Sequence, residues 1–264
     1  MEPNSGNFKF QSSNFKWWIF LFSGFFFLIY AIPLSGMAIF NSPDENANAV
    51  FTRFFAQQGS LQIPATYQGP GAEYLTPRSV IYRDGFYVPG SFIGLPLIYG
   101  TLVRMLQFSF FSSHFSVMEF FTPFFAVFGI LAFFGILRRI FNERIAFFSL
   151  VLLALHPAFW YWASRGMMHN VLFVSLVLVG IYFLIPTTNY KLQTTNYFLA
   201  GLFLGLALLV RTFDMLLLAP VIFLLLWRKS LWSTVSFLVP VALAIIVLMN
   251  FNTLLYGSPF SFAY

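Results

Sequence analysis

The chain has 264 residues, 59% of them hydrophobic and 8% charged, with a mean hydropathy of +0.80. A soluble domain carries roughly 25% charged residues, so this composition excludes a soluble fold and puts most of the surface, including much of the bulk of 39 phenylalanines, in lipid. The lack of cysteine excludes disulfides, cysteine-ligated zinc and iron–sulfur clusters. The net charge of +6 needs no nucleic-acid partner, because basic cytoplasmic loops give a membrane protein such an excess.

A span needs about 20 mostly apolar residues. Residues 17–40 follow Lys9 and Lys16. They exceed the ~7–15-residue apolar core of a signal peptide, so they read as an uncleaved first span. Residues 41–116 then form a large external loop with juxtamembrane helices. Within it, Ser42 suits an N-cap, Pro43 the first helical position and Gly59 the stop, with Ala47, Val50, Phe51, Phe54 and Phe55 on one face. That pattern predicts a short amphipathic helix on the membrane surface. Residues 60–88 are rich in Gly, Pro and Tyr and show little periodicity, as long functional or disordered loops do. The run 89–108 is apolar but broken by Pro89, Gly90, Gly94, Pro96 and Gly100, and reads either as a span or as a broken surface helix.

Further spans are expected at 117–137, 145–163, 170–186 and 231–249. The run 197–227 is interrupted by Arg211-Thr212-Phe213-Asp214 and can be one helix or two. Charge separates the options. If 89–108 does not cross and 197–227 is a hairpin with Arg211 at its outer tip, then Lys9, Lys16, Arg138, Arg139, Arg144, Lys191, Arg228 and Lys229 lie inside. The positive-inside rule favours that arrangement. It gives an all-α integral membrane domain of about seven transmembrane helices, with 250–264 as an external tail.

Arg165 and Arg211 then sit at the outer ends of spans, where basic residues are unfavoured unless they bind something such as an anion. Asp44 and Glu45 lie in the first turn of the loop helix. They fit a plain capping box with Ser42, and acids there suit the helix dipole. Asp44 also lies near the edge of the apolar stripe, where a carboxylate needs a partner or a function. Arg78 and Arg83 read either as functional cations or as ordinary surface pairs with Glu73 and Asp84.

In this order and topology the segments resemble the GT-C glycosyltransferases that use polyprenyl-phosphate-linked sugars, among them the protein O-mannosyltransferases and the lipid A aminoarabinose transferases. The matching pieces are Ser42-Pro43-Asp44-Glu45, Val88-Pro89-Gly90, Arg138-Arg139, His156-Pro157, Ser164-Arg165, the run from Gly201 to Arg211, and Tyr256-Gly257-Ser258-Pro259. The resemblance covers nearly the whole chain. Relatives are usually longer, so the chain reads as an N-terminal fragment of such a protein.

The resemblance implies inverting transfer of a sugar from a polyprenyl phosphate to a protein, glycolipid or glycan acceptor, on the outer face of a bacterial or archaeal plasma membrane. It places the catalytic base at Asp44, with Glu45 orienting it, binding acceptor or holding a metal. The leaving phosphate needs cations, and arginine's planar fork can bind phosphate bidentately. The candidates are Arg83, Arg78, Arg165 and Arg211 in falling order of loop proximity. Asp84, Tyr82, His169 and Asn170 are the candidate substrate contacts. For Arg211 an ion pair with Asp214 is the plain alternative, and for His169 an interfacial role. His114 and His156 read as structural or interfacial, and Gly201 and Gly205 as a helix-packing notch. No cofactor is certain: the resemblance admits a divalent cation, but two adjacent acids do not make a cage and the sequence has no His-x-x-x-His or Asp-x-Asp pattern. Membrane lipids are the other partner. A transporter or flippase, with the break at 211–214 as its discontinuous helix, and a non-catalytic scaffold are the competing readings.

Overall fold

A computed structural model describes residues 12–34, 40–66, 68, 69, 71, 74, 76–109, 117–185, 193–228 and 231–262. The chain is helical, with one small sheet. In order it forms α1 (Ser12–Ala31), α2 (Pro43–Gln58), β1 (Ile63–Pro64), β2 (Val80–Arg83), β3 (Phe86–Pro89), α3 (Gly94–Ser109), α4 (Phe121–Ile140), α5 (Glu143–Leu155), α6 (Pro157–Ala163), α7 (His169–Leu184), α8 (Gln193–Val210), α9 (Leu218–Arg228) and α10 (Leu231–Tyr256). Among the described residues, three segments are long and apolar enough to cross a membrane, Trp17–Leu34, Val117–Ile140 and Leu231–Tyr256. The pair α5–α6, bent by 62°, brings the number to four if it is one span. Pro157 causes that bend, because it cannot continue the helix of α5 and instead starts a new one. α7 has 16 residues and α8 has 18, so at 1.5 Å per residue both fall a little short of a ~30 Å hydrocarbon core.

The interruption at Arg211 yields two helices, α8 and α9, joined by a 3-10 segment over Thr212–Leu217. The run 89–108 becomes the end of β3 followed by the short apolar helix α3. Its Gly94 is where α3 touches α8: a Cβ there would fall 2.2 Å from the Leu209 carbonyl. Gly201 and Gly205 form the expected notch, since a Cβ at Gly201 would lie 2.1 Å from the Phe237 oxygen of α10 and one at Gly205 3.2 Å from that of Pro240.

Three apolar clusters hold the bundle. One joins α1, α4, α5 and α6 around Phe26, Tyr30, Ile130 and Leu150. A second joins α3, α4, α7 and α8 around Leu95, Tyr99, Leu172 and Val210. The third packs α2 and the sheet onto α8 and α10 through Phe51, Val88, Leu204 and Phe237.

The sheet was not expected in the 60–88 loop. Its strand order is β1-β3-β2, all antiparallel. Asp84 and Gly85 have φ of 48° and 84° and join β2 to β3. A type I′ two-residue hairpin needs positive φ at both central residues, and Asp-Gly supplies it. Tyr256 donates to the Pro89 oxygen at 2.8 Å and Gln62 to that of Leu254 at 3.0 Å, tying the loop to the end of α10.

Candidate functional site

The site is built on the start of α2. Ser42 has extended backbone and its hydroxyl accepts the Glu45 N–H at 3.2 Å, while Pro43 occupies the first turn. Asn46 clamps the approach: its amide donates to the Phe40 and Ser42 oxygens at 3.0 and 2.9 Å and accepts from the Phe40 N–H at 3.1 Å. Only half of the capping box forms. The Glu45 carboxylate does not turn back to Ser42 but meets Arg165 at 2.8 Å.

That pair buries the acid for which the apolar stripe gave no burial. Glu45 is 1% exposed and Asp44 is half-buried. The helix is buried along two stripes, not one. Ala47 and Phe51 face the core, and Glu45, Asn48 and Thr52 form a second, polar stripe that is also buried. The polar stripe faces the turn between α6 and α7. Asn48 donates to the Met167 oxygen at 2.8 Å, and Thr122 of α4 donates to that of Gly166 at 2.7 Å. A Cβ on Gly166 would lie 2.9 Å from the Phe40 ring. α2 is therefore a docked element of the bundle, with its polar face turned inward.

Arg165 also bonds the Tyr161 hydroxyl and lies over that ring at 4.7 Å. Partial burial pulls its pKa down, and the bonds and charges of Glu45 and Tyr161 outweigh it, raising the net value above that of an ordinary arginine.

Asp44 faces the hairpin, where its Oδ1 accepts the hydroxyl of Ser79. His169, the first residue of α7, lies within electrostatic reach of Asp44, Arg211 and Asp214. Its ring meets the edge of Phe92 at 5.3 Å, and Phe92 meets Phe213 at 6.0 Å. Asn170 is half-buried beside it in α7. Arg211 has the expected ion pair with Asp214 at 2.8 Å, yet its Nε is buried without an aligned hydrogen bond. It lies 5.4 Å from the Phe173 ring. Next to these residues a shallow cleft opens between Phe92, Phe213, Leu248, Asn252 and Phe262, and the buried Asn252 Oδ1 has no partner.

The structure thus brings together Asp44, Glu45, Arg165, His169 and Arg211 from α2, the α6–α7 turn, α7 and the end of α8. Arg83, Asp84 and Tyr82 stay on the hairpin. Arg83 reaches Asp84 only at 3.4 Å and lies against Gly257, and Tyr82 meets the Tyr87 ring at 6.3 Å. Arg78 is exposed, while Glu73, its suggested partner, and His114 lie outside the described residues. His156 is exposed and caps α6. Sequence reasoning missed Ser79, Tyr161, Phe92 and Asn252. Ser79 and Phe92 meet Asp44 and His169 far away in the chain, which the sequence does not show, whereas Tyr161 stands one helical turn before Arg165 and that spacing could have found it. Among the described residues, no three His, Cys, Asp or Glu side chains lie together as a metal site.

The chain's residues 97–256 match the family described as dolichyl-phosphate-mannose-protein mannosyltransferase. Comparison with curated proteins and with solved structures gave no match.

Proposed function

The chain belongs to the dolichyl-phosphate-mannose-protein mannosyltransferase family, membrane glycosyltransferases with a polyprenyl-phosphate sugar donor, and on that premise we propose that it transfers the sugar with inversion at the Asp44 end of the bundle. The observation that carries this reading is the half-buried Asp44 carboxylate, facing the same end as His169 and Arg211 while its neighbour Glu45 is committed to Arg165.

Asp44 takes the proton of an acceptor hydroxyl as that oxygen attacks the anomeric carbon. The bond from that carbon to the phosphate oxygen breaks, and the lipid phosphate leaves with the electron pair. Arg211 is the leading cation for the developing charge, because Asp214 holds it through the buried Nε and its side chain is 36% exposed, against 18% for Arg165. Arg165 serves less directly, since Glu45 and Tyr161 already occupy it. Arg83, Arg78, Tyr82 and Asp84 lie on the hairpin and suit acceptor contacts, with a protein, glycolipid or glycan as acceptor. His169, Asn170 and the cleft beside Asn252 line the approach of the sugar.

We place this end outside the membrane, in a domain of about seven spans. Arg138 and Arg139 lie about 25 Å along α4 from Thr122, and they support a cytoplasmic opposite end.

The test is reconstitution with radiolabelled polyprenyl-phosphate sugars, comparing wild type with Asp44→Asn. Folded, inserted Asp44→Asn should lose at least about 100-fold in turnover, the usual scale of a general base. Turnover that survives the substitution removes Asp44 as the base. Label carried across proteoliposomes without transfer would instead support the transporter reading, which the helix break at Arg211 favours.

A further inference from the structure

Ser79 stands just before β2 with a φ of +67°. That region is unfavourable for any residue carrying a Cβ and natural for glycine. The backbone around it is cornered. Its carbonyl accepts the Gly90 N–H at 2.8 Å, and the Val80 N–H donates to the Pro77 oxygen at 3.1 Å. Gly90 presses on it so closely that a Cβ there would fall 2.7 Å from the Ser79 carbonyl carbon. The turn makes no use of a hydroxyl, and glycine would satisfy its backbone better. The hydroxyl of Ser79 is instead spent on Asp44 Oδ1, 35 residues away in sequence. Backbone strain that serves a bond to a reacting group is the kind found at active sites.

We propose that Ser79 is a positioning residue for the transferase reaction, its hydroxyl holding Asp44 Oδ1 so that Oδ2 is turned to the proton of the acceptor hydroxyl. This rests on reading Asp44 as the base. The hydroxyl restrains rotation of the carboxylate and acts through it, without touching substrate. It also links the hairpin that carries Tyr82 and Arg83 to the group that would activate the acceptor.

Two substitutions separate positioning from a structural role. Ser79→Gly removes the hydroxyl and relieves the left-handed backbone. Ser79→Asn tolerates the same φ and offers an amide N–H as donor. Both would be assayed in the full chain, reconstituted with a radiolabelled polyprenyl-phosphate sugar, alongside thermal melting. Ser79→Gly is expected to melt at or above the wild-type temperature while kcat falls about tenfold, the size of one hydrogen bond to a charged group. KM for the donor should stay within about twofold, as for an interaction made only in the transition state. Ser79→Asn should recover most of the lost kcat.

Wild-type kcat in Ser79→Gly would overturn the proposal. So would equal slowness of the Gly and Asn forms, or failure of Ser79→Gly to fold, which would make the hydroxyl a structural fastener. Asp44→Asn run in parallel keeps the two ideas apart. If it is inactive while Ser79→Gly is fully active, only the positioning role fails; if it is active, the base assignment fails.

Discussion

At the scale of single residues, the pair Glu45–Arg165 fixes the site more than any other contact. A carboxylate that is 1% exposed is tolerated only with a partner, and Arg165, 18% exposed, is that partner. Arg165→Met should therefore cost about 3 kcal/mol, towards the low end of buried-pair losses because the guanidinium keeps some water. The double variant Glu45→Met with Arg165→Met should recover much of that loss, since no charge is then stranded. Thermal melting of the three forms in detergent measures both effects; a double variant as unstable as the sum of its singles would mean the pair is not the cause. The pair also explains why Glu45 is more deeply buried than Asp44, the acid placed near the apolar stripe. The helical wheel sees the apolar stripe of Phe51 and its neighbours. It cannot see that residue 165 supplies a cation on the opposite side, 120 positions away.

Among elements, glycines decide how close helices come. Gly94 lets α3 rest on the last turn of α8, and α8 ends one residue before Arg211. Gly94→Ala should cost about 1–3 kcal/mol, as overpacking does, and lower activity with it by moving Phe92 and the end of α8. Gly24 of α1 is the control: a Cβ there meets nothing within 4 Å, so Gly24→Ala should be neutral or stabilise by up to about 1 kcal/mol. Comparing the two melting temperatures checks the contact, and equal effects would refute it. Much at this scale was legible in the sequence. Ser42, Pro43 and Gly59 bound α2 as read and Arg211 ends a helix, whereas the bend at Pro157 falls inside the run 145–163 that read as one span. The hairpin could have been found too, because Asp84-Gly85 lies between two short β-prone runs. The abundance of Gly, Pro and Tyr around it hid that signal. The burial of Glu45 and Asn48 was out of reach, since their partners, a guanidinium and a backbone carbonyl, come from a distant turn.

For the whole molecule, charge and contact agree on two ends. Arg139 closes one end, over the Tyr182 ring at 3.8 Å and on the Tyr182 oxygen at 2.6 Å. Asp44, Arg165 and Arg211 gather at the other. The native chain lacks cysteine, so single cysteines report topology without background. Arg53→Cys should react with a membrane-impermeant maleimide from outside intact cells. Arg144→Cys should react only after permeabilisation; both positions are exposed side chains. Labelling of both from one side would mean that α3 crosses the membrane and that the seven-span arrangement is wrong.

The same long-range contacts set a timetable for biosynthesis. α2 leaves the ribosome with Glu45 and Asn48 already in place, but the groups that satisfy them, at Arg165 and Met167, follow 120 and 119 residues later. At roughly 5–20 residues per second, that delay is on the order of ten seconds. Throughout it, α2 cannot dock without stranding a carboxylate and an amide, so it must wait in water or against lipid. The nascent protein is most open to proteases and to membrane chaperones in that interval, and the emergence of the α6–α7 turn ends it.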